Sequence, residues 1–355
     1  MNKKIVGINV ARAIAIIGMI VVNFTIVLGN TGPKWLSAIA DAFSGKAAAT
    51  FVVLAGVGMG LMAKSAEADQ SKKTQVQRRV LKRSLFLLLL GLSYYFIWPA
   101  DILHYYGVYL LLGLVMLFRP GAYSLRLALG LIILFPILLF NLNYEVGWDW
   151  ENLEYLDFWT PEGFLRNLIF NGFHPFIPWV AFLLVGIWFG KQDLYDETFI
   201  TGMFQRGLAL FITMQVLSPF AVSKAVEILG FSPESATYVF GTGSMPPNPI
   251  YMLNGLGIAF TIICGSILWA WKRKDAKVIL ALDRTGQMAL SFYVLHVVLG
   301  MSLPLLIFDF ELGSYPSYLS LPYALVFALG CIYLANFYLA RWKQGPLEWL
   351  MRKLT

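Results

Sequence analysis

Apolar stretches about as long as a bilayer is thick alternate with short polar segments along the whole chain. A helix rising about 1.5 Å per residue needs roughly 20 mostly apolar residues to cross the hydrocarbon core. Such runs fall near residues 5–28, 46–63, 84–100, 104–118, 125–141, 174–190, 206–223, 249–271, 285–306 and 321–341. They predict an all-α, polytopic bundle of about ten transmembrane helices. The run at 104–118 is short, so it is expected to tilt, to follow a re-entrant turn or to borrow residues from its flanks. The first run exceeds a signal-peptide core and no convincing small-residue cleavage site follows it, so it reads as the first span.

The polar segments are not equivalent. With the N-terminus in the cytoplasm, every second segment collects basic residues, and of the 27 Lys and Arg only Lys34, Lys46, Arg166 and Lys224 fall on the other side. Cytoplasmic loops carry such an excess, so both termini are expected to be cytoplasmic. An odd number of spans would strand the basic tail, with Arg341, Lys343, Arg352 and Lys353, on the outside. At 58% hydrophobic and 13% charged, the composition excludes an ordinary soluble domain of this length. The net charge of +7 is read as attraction to the inner leaflet. Nucleic acid is not expected as a partner, because the basic stretch 72–83 contains no stacking aromatic residue.

No stretch has the composition of a soluble domain or a long linker, so residues 1–355 are expected to form one integral membrane domain. Its first partner is the lipid bilayer, and a homo-oligomer is compatible with that architecture. Cys264 and Cys331 both lie in apolar runs and support neither a disulfide framework nor a thiolate metal site. Residues 142–173 are rich in Trp, Tyr, Asp and Glu. They read either as an interfacial helix or as a lid or platform for a polar or carbohydrate substrate. Residues 241–249 hold three prolines and cannot form a regular helix. Gly56 and Gly60 form a small-xxx-small pair suited to close helix packing.

Polar groups inside spans are costly and need a partner or a purpose. Arg12, Ile16, Met19 and Asn23 share one helical face, with a cation near the cytoplasm and an amide toward the outside. Arg12 is either a snorkelling anchor or a contact for an anionic cofactor. His296 lies twelve residues beyond Arg284, about 18 Å along a continuous helix. It is either a satisfied packing residue or a general base. Asp101 and His104 stand three apart, so one turn brings carboxylate and imidazole together, either to orient the ring or simply to cap the helix. His174 precedes Pro175 at the start of the sixth run, as an acceptor-site residue or a plain helix start. All three histidines fall on the expected outer half. No two share a helix and H-x-x-x-H spacing is absent, so no metal is expected.

These segments together resemble the YeiB-like bacterial membrane proteins, which are related to the heparan-alpha-glucosaminide N-acetyltransferase group of transmembrane acyltransferases. The resemblance rests on Asn9 to Asn23, with Arg12, Gly18 and Asn23 in place and Ala13 where glycine is usual, and on Gly45-Lys46 with Phe51 to Gly58. It continues through Asp101 to Gly107, Pro175 to Trp179 with Gly186, and Gly286 to Tyr293. The tail Gly345-Pro-Leu-Glu348-Trp349-Leu-Met-Arg352 is the most specific block, having no generic membrane explanation. The resemblance implies transfer of an acyl group, acetyl foremost, from cytoplasmic acyl-CoA to an extracytoplasmic sugar, glycolipid or other hydroxyl or amine, across a bacterial inner membrane. It implies Arg12, Asn23 and Arg284 on the acyl-CoA side. His296, His104, Asp101 and His174 are the catalytic candidates. One departure stands out: the acetyltransferase group is expected to carry its catalytic histidine in the loop before the second span, and residues 29–45 contain none. A transporter or flippase for a small solute or lipid-linked group is the competing expectation.

Overall fold

A backbone in hydrocarbon has no water to bond, and within a single segment only a helix satisfies its N–H and C=O groups. The computed structural model describes residues 5–304 and 313–355 and is built of helices, with a single two-stranded hairpin among those residues. Lys3, Lys4 and the end of the expected run at 285–306 lie outside them. In chain order the helices are α1 (Val6–Leu28), α2 (Lys34–Phe43), α3 (Lys46–Ala66), α4 (Gln70–Ser93), α5 (Leu103–Met116) and α6 (Gly121–Asn141). The hairpin β1 (Trp148–Asp149) and β2 (Glu154–Tyr155) follows, then α7 (Pro161–Arg166) and α8 (Phe176–Gly190). The remainder are α9 (Glu197–Leu229), α10 (Pro233–Phe240), α11 (Pro249–Lys272), α12 (Lys277–Gln287), α13 (Ala289–Leu295), α14 (Ser317–Tyr338) and α15 (Pro346–Leu354). Two π-helical turns, Asn167–Asn171 and His296–Met301, extend α7 and α13.

Helices stand at all ten expected runs, but they are not equally fit to span. Six are long and apolar enough to cross a membrane, and up to eight spans result if the two bent pairs count as one each. The difference from ten lies in α4, whose first half is charged, and in α5, which is only 14 residues long. α6 and α9 turn most of their surface outward, with Ile133, Ile137, Phe140, Ile212, Val216 and Phe220 exposed, as a lipid-facing helix does.

The chain divides into two compact units. One consists of Met1–Phe51, Glu197–Phe204 and Ala259–Leu354. In it α1 packs on α12 and α14; Val10 and Ala13 of α1 meet Ile279 and Leu282 of α12 and Ala270 of α11, with Ile332 of α14 against them. The open carbonyls at the end of α1 are taken by the strand-like segment before α14: Gly313 N–H donates to Val27 O (2.9 Å) and Tyr315 N–H to Leu28 O (2.7 Å). The ninth expected run corrects the sequence reading. Met288 leaves the helical region (φ −109°, ψ 21°), and the two arms on either side bend by 69°. His296 therefore does not lie about 18 Å along one helix from Arg284; it lies seven residues past Ala289, about 10 Å up a separate helix.

The other unit consists of Val52–Asp196 and Gln205–Ile258, with Thr355. Here α4 pairs with α5, and α8 packs on α5 and α6. α3 and α8 meet glycine to glycine: a Cβ on Gly56 or Gly60 would collide with the backbone of Leu183 or Ile187, and one on Gly186 or Gly190 with Val53 or Val57. The packing reading of Gly56 and Gly60 thus holds, since small residues let two backbones approach. The aromatic segment after α6 is not an interfacial helix over its first half. It folds as the β1–β2 hairpin, turning through Leu153 at φ 54°, and packs Trp148, Tyr155 and Phe158 against Tyr95. The proline-rich loop is irregular as expected, closed by Asn248, whose amide donates to Gly241 O (2.9 Å) and whose Oδ1 accepts from Tyr251 N–H (3.0 Å). Gly186→Ala is expected to cost about 1–3 kcal/mol, the usual range for overpacking. The control Gly130→Ala, whose methyl meets no neighbouring helix within 4 Å, should leave the thermal midpoint in detergent unchanged or slightly raised.

Candidate functional site

Each unit holds a buried polar centre, and each centre adjoins a π-helical turn. Such turns widen a helix and open its backbone bonding to side chains, which is why they recur at functional sites.

In the unit of α4 and α5, Asp101 and His104 are both fully buried. Asp101 Oδ2 accepts from the backbone N–H of His104 (3.1 Å) and from its Nδ1 (3.1 Å), while Oδ1 accepts from Tyr94 Oη (2.6 Å). The two sequence readings of this pair, capping and orientation, are satisfied together. Gly91 permits this, since any side chain there would strike the Asp101 carboxylate and the His104 amide. Because a carboxylate only accepts, it fixes the imidazole proton on Nδ1 and leaves the lone pair on Nε2. That Nε2 is buried and has no hydrogen-bond partner among the described residues. The His104 ring lies 4.0 Å from that of Tyr105, whose hydroxyl donates to Asn167 Oδ1 (2.5 Å) in the π turn. His174 stands 5.9 Å from Tyr105 and 4.6 Å from Trp179, ring to ring, and Tyr109 Oη donates to its carbonyl. Asn167 Nδ2, His174 Nδ1 and Trp179 Nε1 also lack protein partners among the described residues. Unpaired buried polar atoms are expensive, so a cluster of four marks a place meant for water or a ligand.

Asn171 closes the same turn. It donates to the carbonyls of Tyr144 and Val146 (2.8 Å each) and accepts from Tyr155 Oη (2.7 Å), which ties the hairpin to the helix. Beside the hairpin, two open cavities of about 440 and 450 Å³ share Glu234 and Tyr238; Asn143, Tyr144 and Glu145 line one and Asn248 the other.

In the other unit, His296 is fully buried at the start of the second π turn. Its Nδ1 lies 3.2 Å from Phe292 O, so that nitrogen carries the proton, and Nε2 accepts from Asn23 Nδ2 at 2.9 Å. Asn23 therefore belongs with His296, eleven residues from Arg12. Arg12 is half-buried and donates to Asn9 Oδ1 (3.1 Å), while Asn9 donates to Asp283 Oδ1 (2.8 Å). Its cation is thus built into a network with an acid. Arg284 is exposed and donates to Asn336 Oδ1 (3.3 Å). Glu348 on α15 accepts from the N–H groups of Leu290 (2.8 Å) and Ser291 (3.1 Å) and from Ser291 Oγ (2.5 Å). Burial raises its carboxyl above the ordinary value, while the bonds from Ser291 and Leu290 pull it back down. No group of three or more metal-ligating side chains occurs among the described residues.

Fold and centres together define a multi-pass, all-helical membrane protein with buried acid, amide and imidazole groups. The family described as heparan-alpha-glucosaminide N-acetyltransferase, catalytic, matches residues 4–214, and that described as protein of unknown function (DUF418) matches residues 205–355. The chain belongs to the heparan-alpha-glucosaminide N-acetyltransferase catalytic family, and the resemblance to its YeiB-like relatives is borne out. No curated protein matches the sequence. The first match contains Arg12, Asn23, Asp101, His104 and His174; the second contains Arg284 and His296.

The sequence gives no site role to Asn9, Asp283, Tyr105, Asn167 or Glu348. Asn167 and Asn171 carry a signal in retrospect, two amides four apart around the apolar Leu168-Ile-Phe170. Asn23→Ala should cost about 1–3 kcal/mol, the penalty for leaving a buried group such as His296 Nε2 unpaired. Chemical unfolding of the purified protein checks this; no change would show that water replaces the amide.

Proposed function

We propose that this protein is a membrane-embedded acyltransferase of the bacterial cytoplasmic membrane, taking an acetyl or other acyl group from cytoplasmic acyl-CoA to an extracytoplasmic sugar, glycolipid or other hydroxyl or amine. The reading includes one integral membrane domain over residues 1–355, about ten spans and both termini in the cytoplasm, as the distribution of basic residues supports. One observation carries the chemistry: a buried imidazole oriented by a carboxylate, with its other nitrogen bare.

On this reading His104 Nε2 takes the proton of the acceptor hydroxyl or amine as that atom attacks the thioester carbonyl. The new C–O or C–N bond forms, the C–S bond breaks, and the proton passes to the departing thiolate, giving CoA. Asp101 holds the ring in the required tautomer and stabilises the imidazolium, as a carboxylate does behind a catalytic histidine. His174 sits beside Tyr105, where it handles acceptor or proton. His296 is the second candidate base, but both its nitrogens are engaged and Asn23 must yield before it acts. Arg284, exposed, is the better-suited contact for CoA phosphates, with Arg12 behind it ordering the helix pair. The cavities around Tyr238 and Glu234 offer aromatic and carboxylate groups of the kind that bind a polar acceptor.

Two features favour transport of a solute as the second reading. Two candidate spans are bent at breaks, as in transporters built on discontinuous helices. Asn254, fully buried in α11, has no partner for either amide atom among the described residues.

Calorimetric titration of the purified protein with acetyl-CoA and with CoA separates the two. Saturable binding, weakened by Arg12→Ala and by Arg284→Ala, supports the transferase. No binding to folded protein, with substrate flux in vesicles lacking any acyl donor, supports transport. In an acceptor screen His104→Gln is expected to lower kcat by about 10²–10⁴-fold, the range for loss of a general base. Asp101→Asn should lower it with little effect on KM, and turnover that survives both changes removes His104 from the mechanism.

A further inference from the structure

α12 and α15 are short, two-faced helices that border the same break. α12 buries Ile279, Leu282, Thr285 and Gly286, while Val278 and Leu280 stand about half exposed, at 49% and 48%. It follows the basic run Lys272, Arg273 and Lys274, starts at Lys277, and lies at 69° to the helix that continues from it. If that continuation crosses the bilayer, α12 runs close to the membrane plane. Seven residues separate α15 from the end of α14, and none of its residues is fully buried, Glu348 being partly so. Trp349 and Leu354 are 55% and 54% exposed, Arg352 and Lys353 occupy the last turn, and the Lys353 amine lies 5.1 Å from the centre of the Trp349 ring. In the linker from α14 to α15, Trp342 is 51% exposed and the Arg341 guanidinium sits 3.9 Å from the ring centre of Phe337 in the last turn of α14.

Apolar rings and cations on the same short segments call for a neighbour that is apolar and anionic at once. An anionic bilayer surface is such a neighbour: rings enter at the headgroup level and Lys or Arg meet phosphates above. The only acid of α15 points the other way. Glu348 accepts the N–H groups of Leu290 and Ser291, and Ser291 Oγ accepts from Leu347 N–H (3.1 Å).

We propose that α12 and α15 dock on anionic lipid headgroups as a clasp, with Glu348 holding the first turn of α13 and thereby His296 in place. The clasp accounts for the tail block that has no generic membrane explanation, and it stands whether the protein transfers acyl groups or transports.

The test is hydrogen exchange and thermal unfolding of the full chain in nanodiscs of phosphatidylcholine, with and without phosphatidylglycerol. Phosphatidylglycerol is expected to slow exchange of the Leu290 and Ser291 amides by about tenfold, given the attraction per cation near an anionic surface. High salt, or the surface pair Arg352→Gln and Lys353→Gln, should remove most of that difference. Glu348→Ala should expose both amides in either lipid, and Glu348→Gln, which keeps an acceptor oxygen, should restore part of the protection. Equal protection with and without phosphatidylglycerol overturns the lipid docking. So does protection that tracks protein concentration, since the occupant would then be a second copy. A wild-type lipid response with Leu290 and Ser291 unaffected by Glu348→Ala overturns the clasp.

Discussion

Inside a bilayer an N–H or C=O that leaves its helix has no solvent to fall back on. Both breaks in the spanning segments of this protein are answered by side chains, and those side chains define its polar centres. At Met288 the carboxylate of Glu348 takes the open N–H groups of α13. At the break after Asn171, its carbonyl accepts from the indole of Trp148 (2.7 Å) and the carbonyl of His174 accepts from Tyr109 Oη. The constraint bears on both polar centres: His296 lies in the helix that starts at one break, and His174 in the segment that forms the other. The same requirement explains why an acid and a pair of amides are tolerated in so apolar a chain.

The residues legible in the sequence are those whose partners are near in the chain. Asp101 and His104 stand three apart, and the helical repeat alone brings carboxylate to ring. Gly56 and Gly60 are read correctly because their spacing is that of one helix face. The break at Met288 is invisible for the opposite reason. No proline marks it, and the acceptor that makes it stable comes from residue 348, far along the chain. The apolar run alone therefore puts His296 too far along a single helix. Asn23 shares a helix face with Arg12, but its partner is a histidine 273 positions away. The hairpin in the aromatic segment is not legible because a two-residue ladder leaves no periodicity to read.

The two centres also differ in readiness. His296 is a histidine with both hands full, and such a ring is stable where it is. His104 has one bond that fixes its tautomer and one nitrogen left bare in a buried setting, beside three further unpaired polar atoms.

The hairpin of α4 and α5 has a consequence for how the protein is made. The apolar half of α4 and the 14 residues of α5 are each too short to hold a bilayer-spanning position alone. What binds them is mutual: Ser84 Oγ donates to Gly107 O at 2.6 Å, both groups buried, and Gly91 lies against the Asp101 carboxylate. If both helices span, neither has a stable place without the other, and the two would enter the membrane as a pair with Asp101 and His104 in the segment that joins them.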